Sequence, residues 1–190
     1  MYHIKSEKSF EFFRMNQDAK AALKGALERK QQIAELREAT GEEDEHTLRL
    51  LVHTGIDADS VQLIHLAPLI EVAWADHEMQ PKEAKLVLEI ATLRGIKEGT
   101  KAHELLLRWL EHKPKDPVFD ACHHVANSML EHLPAAQREK TLKSIDECVH
   151  AVAEAAGGLF GVFGKVSDEE KALIDELATI YHHKLAKKSG

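Results

Sequence analysis

The chain has very little cysteine and no long apolar run, and both absences narrow the class of protein. Its two cysteines, Cys122 and Cys148, cannot form a disulfide framework, and without a Cys-x-x-Cys pair they do not make a common structural zinc site. We expect both to be buried, reduced thiols. No apolar run approaches the roughly 18 residues of a membrane span, and residues 1–5 lack a signal-peptide core. The sequence therefore predicts a cytoplasmic protein.

A surplus of basic residues is also missing. Lysine and arginine total 25 against 32 aspartates and glutamates, which gives a net charge of −7. Nucleic-acid binding needs a dominant basic surface, so we predict no nucleic-acid partner. Hydrophobic residues make up 44% of the 190, enough for a core, and the length suits one domain with an appendage.

Alternation of apolar and polar residues, the mark of a strand, is not sustained anywhere in the sequence. Spacings of three and four dominate, so we predict an all-α protein: a compact bundle of about seven helices, residues 45–190, preceded by an N-terminal helical arm, residues 1–44. Pro68 should kink the helix in which it lies. The predicted helices are 6–38, 46–54, 59–75, 81–94, 98–112, 117–132, 135–156 and 167–186.

The arm carries a narrow, alanine-rich apolar stripe. Because such a stripe buries little surface by itself, we expect it to lie on other helices or on a partner. The stripe consists of Phe12, Met15, Ala19, Ala22, Ala26, Ile33 and Leu36.

One helix–turn–helix pattern occurs twice. Residues 72–91 resemble residues 152–178, where the second copy contains the glycine-rich insertion Gly158–Gly164. Glu83 in the first copy corresponds to Glu170 in the second, and each stands in the first turn of a helix. The pattern predicts two pseudo-symmetric halves related by duplication.

The repeated glutamates have a structural and a functional interpretation. Ser167 and Glu170 have the spacing of a capping box, and Gln80 and Glu83 hold the same places with a weaker cap. Alternatively, the acidic turns bind a divalent cation such as zinc, calcium or manganese through carboxylate oxygens. The sequence lacks the twelve-residue EF-hand pattern. The candidate ligands at the turns are Asp76, Glu78, Glu83 and Glu170.

The segment 75–90 resembles the TerB family of tellurite-resistance proteins. Asp76, Met79 and Glu83 match the family's Asp, aliphatic and Glu positions, and the resemblance extends over about 45–186. It implies an all-helical fold of two halves, a non-enzymatic role in bacterial stress responses, and metal held by the acidic turns. The chain departs from the motif at His77, where the family has glycine, and at Ala156, where it has aspartate.

A second group of candidate ligands lies on the helix before the second turn. Glu147, His150 and Glu154 are spaced to share one helix face, and an imidazole would shift the preference toward a transition metal such as zinc. They could replace the missing aspartate by meeting Asp76 or Glu83. The alternative is a solvated face. A di-iron site needs further ligands that the sequence does not provide.

We predict that the protein is not an enzyme, because it shows no Ser/His/Asp order, no phosphate loop and no His-Glu-x-x-His motif. A metal-dependent hydrolase and a di-iron protein are the exceptions left open.

The preferred hypothesis is a TerB-like stress-response module that binds a divalent metal, a protein partner, or both. The partners include membrane-associated stress-response proteins. The alternative is a metal-free adaptor that binds partners through its arm and its glycine-rich loop. The sequence does not indicate an oligomeric state.

Overall fold

The computed structural model describes residues 3–156 and 166–183, and this part of the chain contains eight α-helices and no strand. The all-α prediction is therefore confirmed, with one long N-terminal helix and seven in the bundle. The helices are α1 His3–Thr40, α2 Glu45–His53, α3 Ala67–Ala73, α4 Pro81–Leu93, α5 Lys101–Glu111, α6 Asp116–Glu131, α7 Ala135–Ala156 and α8 Asp168–Ala178.

The prediction of a single kinked helix over 59–75 was wrong. A 3-10 segment, Val61–Leu66, precedes α3, and Pro68 lies in the first turn of α3 rather than inside a longer helix. A proline in the first turn disrupts no helical hydrogen bond, since its missing N–H would have no partner there. Pro68 therefore marks the start of a helix.

The C-terminal helix changes its hydrogen-bonding pattern along its length. After α8 ends at Ala178, one π-helical turn, Thr179–His183, closes the described chain. The residues predicted to continue this helix beyond His183, and the insertion Gly158–Gly164, lie outside the described residues.

The core forms around α3. Its apolar residues, including Leu69, Ile70 and Val72, are fully buried, and the helix packs against α6, α7 and α8. The Trp74 indole N–H donates to the backbone carbonyl of Trp109 at 2.9 Å, which connects the end of α3 to α5. The acidic turn after α3 is therefore attached to the centre of the bundle.

Helix α1 is about 57 Å long at 1.5 Å per residue, and one end of it packs on α2. Leu36 is fully buried and Ile33 packs against the core, whereas the side chains of 16–24 are exposed. Within the described ranges, none of the helices combines the length and apolar character needed to cross a membrane.

Candidate functional site

The first acidic turn connects α3 to α4 and is stabilised by its own side chains. The Asp76 carboxylate accepts a hydrogen bond from the backbone N–H of Glu78 at 3.0 Å. His77, between them, has a φ of 70°, the left-handed region that glycine adopts without strain. Asp76 and Glu78 are both exposed. One oxygen of Asp76 therefore helps to form the turn, while the carboxylate remains open to solvent.

Glu83 caps the N-terminus of α4. Its Oε2 accepts a hydrogen bond from the backbone N–H of Gln80 at 2.8 Å, and the residue is only 2% exposed. A backbone N–H before the first turn has no helical partner, so this bond satisfies it. The predicted capping role of Glu83 is confirmed.

Glu170 caps the N-terminus of α8 in the same way. Its carboxylate accepts from the backbone N–H of Ser167 at 2.5 Å, and the Ser167 hydroxyl accepts from the N–H of Glu170 at 3.0 Å. Glu170 is 3% exposed. The predicted capping box is confirmed, and both repeated glutamates are buried at helix starts.

The fold brings these two carboxylates near each other. Burial, followed by the negative charges of Glu170 and Asp76, raises the pKa of Glu83 to about 7, although its hydrogen bond from Gln80 acts in the opposite direction. Within the described residues, neither Glu83 nor Glu170 forms an ion pair with a lysine, arginine or histidine. The two turns therefore bury two neighbouring carboxyl groups that have no described cationic partner.

The donor set is too small for a closed metal site. Across 3–156 and 166–183, no group of three or more histidine, cysteine, aspartate or glutamate side chains is placed to hold a metal ion. Two carboxylates fill only part of a coordination shell, so water would supply the remaining ligands of any hard cation there. The geometry does not suit zinc, which prefers four protein ligands in a structural site.

The second group of candidate metal ligands, on α7, does not form a cluster among the described residues. Glu147, His150 and Glu154 are all exposed on α7. The Glu147 carboxylate lies 3.7 Å from the Lys143 ammonium, and the His150 Nδ1 lies 2.8 Å from the backbone carbonyl of Asp146 one turn earlier. These are contacts within one helix, as expected for a solvated face.

A buried polar network in the core was not predicted. The His123 ring on α6 lies between two partners: its Nε2 is 2.6 Å from the Glu71 carboxylate on α3, and its Nδ1 is 2.8 Å from the Tyr181 hydroxyl. Tyr181 lies in the π-helical turn and is 2% exposed. The network therefore attaches the C-terminal turn to two central helices.

The network is satisfied with a neutral imidazole. The Tyr181 hydroxyl then donates to Nδ1, and the Nε2–H donates to the Glu71 carboxylate. Burial raises the pKa of the Tyr181 hydroxyl above its usual range, so the phenol stays protonated. Burial, with the Glu71 charge, likewise raises the pKa of the neighbouring Cys122 thiol.

The sequence did contain a signal for this network. His123 interrupts the apolar face of α6 one turn after Phe119, and Glu71 is the one charged residue of α3. A polar side chain on a buried helix face needs a hydrogen-bond partner. His123 and Glu71 therefore each indicate that a partner lies in the core, although the sequence does not identify it.

The chain matches no protein-family model, no curated protein and no solved structure.

Proposed function

We propose that this protein is a non-enzymatic, TerB-like stress-response module that binds a divalent cation between its two acidic turns. The observation that supports this proposal is the burial of Glu83 and Glu170, within interaction distance of each other, without a described cationic partner. A bound dication would compensate both charges. The left-handed backbone at His77, where the family motif has glycine, agrees with the resemblance.

The expected ion is hard and remains partly hydrated. Each buried glutamate commits one oxygen to a backbone N–H, which leaves the other oxygen for a ligand. Because no imidazole or thiolate joins these carboxylates in a group of three among the described residues, manganese or calcium suits the donor set better than zinc.

Isothermal titration of the full-length protein with manganese, calcium and zinc tests the proposal. We expect saturable binding that strengthens from pH 6 to pH 8, because deprotonation of Glu83 supplies the ligand charge. Glu83→Gln and Asp76→Ala should each weaken binding, whereas the double variant Glu147→Gln, His150→Gln should not. Cation binding at the turns would be refuted if no saturable binding occurred. It would also be refuted if Glu83→Gln and Asp76→Ala left the affinity unchanged.

A metal-free adaptor is the second candidate function, and the arm supports it. Leu23 and Leu27 are 62% and 60% exposed on a helix that extends from the bundle. The two leucines are four residues apart and share one face of α1, and contiguous exposed apolar surface marks contact sites. Light scattering of the full-length chain and of a Leu23→Glu, Leu27→Glu variant tests self-association through the arm: an unchanged mass counts against an oligomer contact there.

A further inference from the structure

A groove lies between the C-terminal half of α1 and the whole of α2. Its volume is about 800 Å³, within the range of ligand-binding clefts. Its apolar surface is aliphatic and comes from both helices. The apolar lining residues are Ala26, Ile33, Ala34, Leu50 and Val52.

The rim of the groove is basic, although the chain as a whole is acidic. Its charged and titratable lining residues are Arg29, Lys30, Arg37, Arg49, His46, His53 and the single carboxylate Glu45. Arg49 pairs with Glu45 at 2.6 Å, and Arg37 lies 3.7 Å from Glu43. Arg29 and Lys30 are exposed and form no ion pair with another described residue. The rim therefore presents positive charge that an occupant can compensate.

The apolar face of α1 continues beyond the end of α2. Leu23 precedes Ala26 by three residues and Leu27 precedes Ala34 by seven, or two helical turns, so both leucines share the face that lines the groove. Their exposure extends the apolar floor by about one helical turn. The result is an elongated aliphatic track bordered by cations, which is the shape that receives an amphipathic helix.

We propose that this groove binds an acidic amphipathic helix of a partner protein. Apolar side chains at helical spacing would contact the floor, and flanking carboxylates would pair with Arg29 and Lys30. The inference rests on the partner-binding alternative and not on cation binding at the turns.

Two other occupants fit less well. The α1 of a second copy carries eight basic and six acidic residues, so its net charge has the same sign as the rim. A single-stranded nucleic acid would stack its bases on large aromatic rings, and the groove has no phenylalanine, tyrosine or tryptophan among its lining residues. Charge and floor chemistry together favour an acidic helix.

The test is fluorescence anisotropy of a labelled acidic peptide of roughly 18 residues, long enough to form a helix on the groove. It carries leucines at spacings of three and four and glutamates on both flanks. The full-length protein is compared with Arg29→Glu, Lys30→Glu and with a control of equal charge change on α7, Lys140→Glu, Lys143→Glu, where both lysines are exposed. A single-stranded oligonucleotide is titrated in parallel.

We expect a dissociation constant of about 10–100 µM, raised at least about tenfold by the Arg29, Lys30 variant and less than about twofold by the control. The variant Ala34→Arg distinguishes binding in the groove from purely electrostatic binding, because its side chain fills the apolar floor while adding a positive charge. Groove binding should weaken about tenfold in this variant, whereas purely electrostatic binding should strengthen.

Several results would overturn the proposal: no saturable binding at about 1 mM peptide, equal losses in the groove and control variants, or tighter peptide binding by Ala34→Arg. Tighter binding of the oligonucleotide than of the peptide would assign the groove to nucleic acid. A dimeric mass that Ala34→Arg abolishes would assign it to a second copy, which leaves the adaptor role through the arm intact.

Discussion

Replacing Glu83 by glutamine should make the protein more stable above neutral pH. The substitution removes the buried charge but keeps an oxygen that can accept the hydrogen bond from Gln80. Glutamine therefore preserves most of the cap while it ends the repulsion from Glu170 and Asp76.

The magnitude follows from the displaced pKa of Glu83. The carboxyl titrates near 4.5 in the unfolded chain and near 7 in the folded protein, so the folded state binds more protons between these pH values. Stability consequently falls as pH rises through this window, by roughly 3 kcal/mol in total. Loss of the glutamate charge at a helix N-terminus costs about 0.3–1 kcal/mol. The net gain in Glu83→Gln should be about 2 kcal/mol at pH 8 and near zero at pH 4.5.

Urea unfolding and thermal unfolding, both followed by circular dichroism at 222 nm from pH 4.5 to pH 8.5 in the presence of a chelator, measure the effect. The wild type should lose stability across the window, and Glu83→Gln should show a flatter profile with a melting temperature about 4–8 °C higher at pH 8. Glu89→Gln is the matched control, because Glu89 is exposed on the same helix.

Parallel pH profiles for wild type and Glu83→Gln would refute this reasoning. The same conclusion would follow if Glu83→Gln destabilised the protein equally at pH 5 and pH 8, because the glutamate would then act only as a neutral cap. An equal gain in Glu89→Gln would assign the effect to overall charge.

Three further substitutions test the local structure. His77→Gly should stabilise the protein by about 1 kcal/mol by removing a left-handed non-glycine residue, and a loss of stability in urea unfolding would contradict the assigned turn. Tyr181→Phe should cost about 1–3 kcal/mol, because it leaves the buried His123 Nδ1 without its hydrogen-bond partner; a neutral effect in the same assay would argue against the network. Ser167→Ala should cost about 1 kcal/mol through loss of the cap, and an unchanged melting temperature would refute the bond to the Glu170 N–H.

The helices were predictable because their apolar residues recur at helical spacing, and their ends follow local chemistry. Pro81 begins α4, and Gly95, with a φ of 90°, follows its end. The interpretation of Pro68 failed because apolar residues continue on both sides of it. Buried 3-10 and α-helical segments have the same composition, so the pattern did not reveal the boundary.

The candidate site was predictable only in part. The repeat identified Glu83 and Glu170, since a capping glutamate has a fixed spacing from its helix start. Their mutual approach depends on the packing of α4 and α8 against α3 and α7, which no local pattern specifies. The contact of His123 with Glu71 and Tyr181 joins residues 52 and 58 positions apart, and only the folded chain brings them together.

The indole bond between Trp74 and the Trp109 carbonyl has a practical consequence for optical measurements. Both tryptophans of the chain lie within the bundle, so intrinsic tryptophan fluorescence reports on unfolding of the bundle and not on unfolding of most of α1. Amide ellipticity, in contrast, includes all 38 residues of that helix. Overlaying the two melting curves would show whether the projecting half of α1 frays before the rest of the molecule or melts with it.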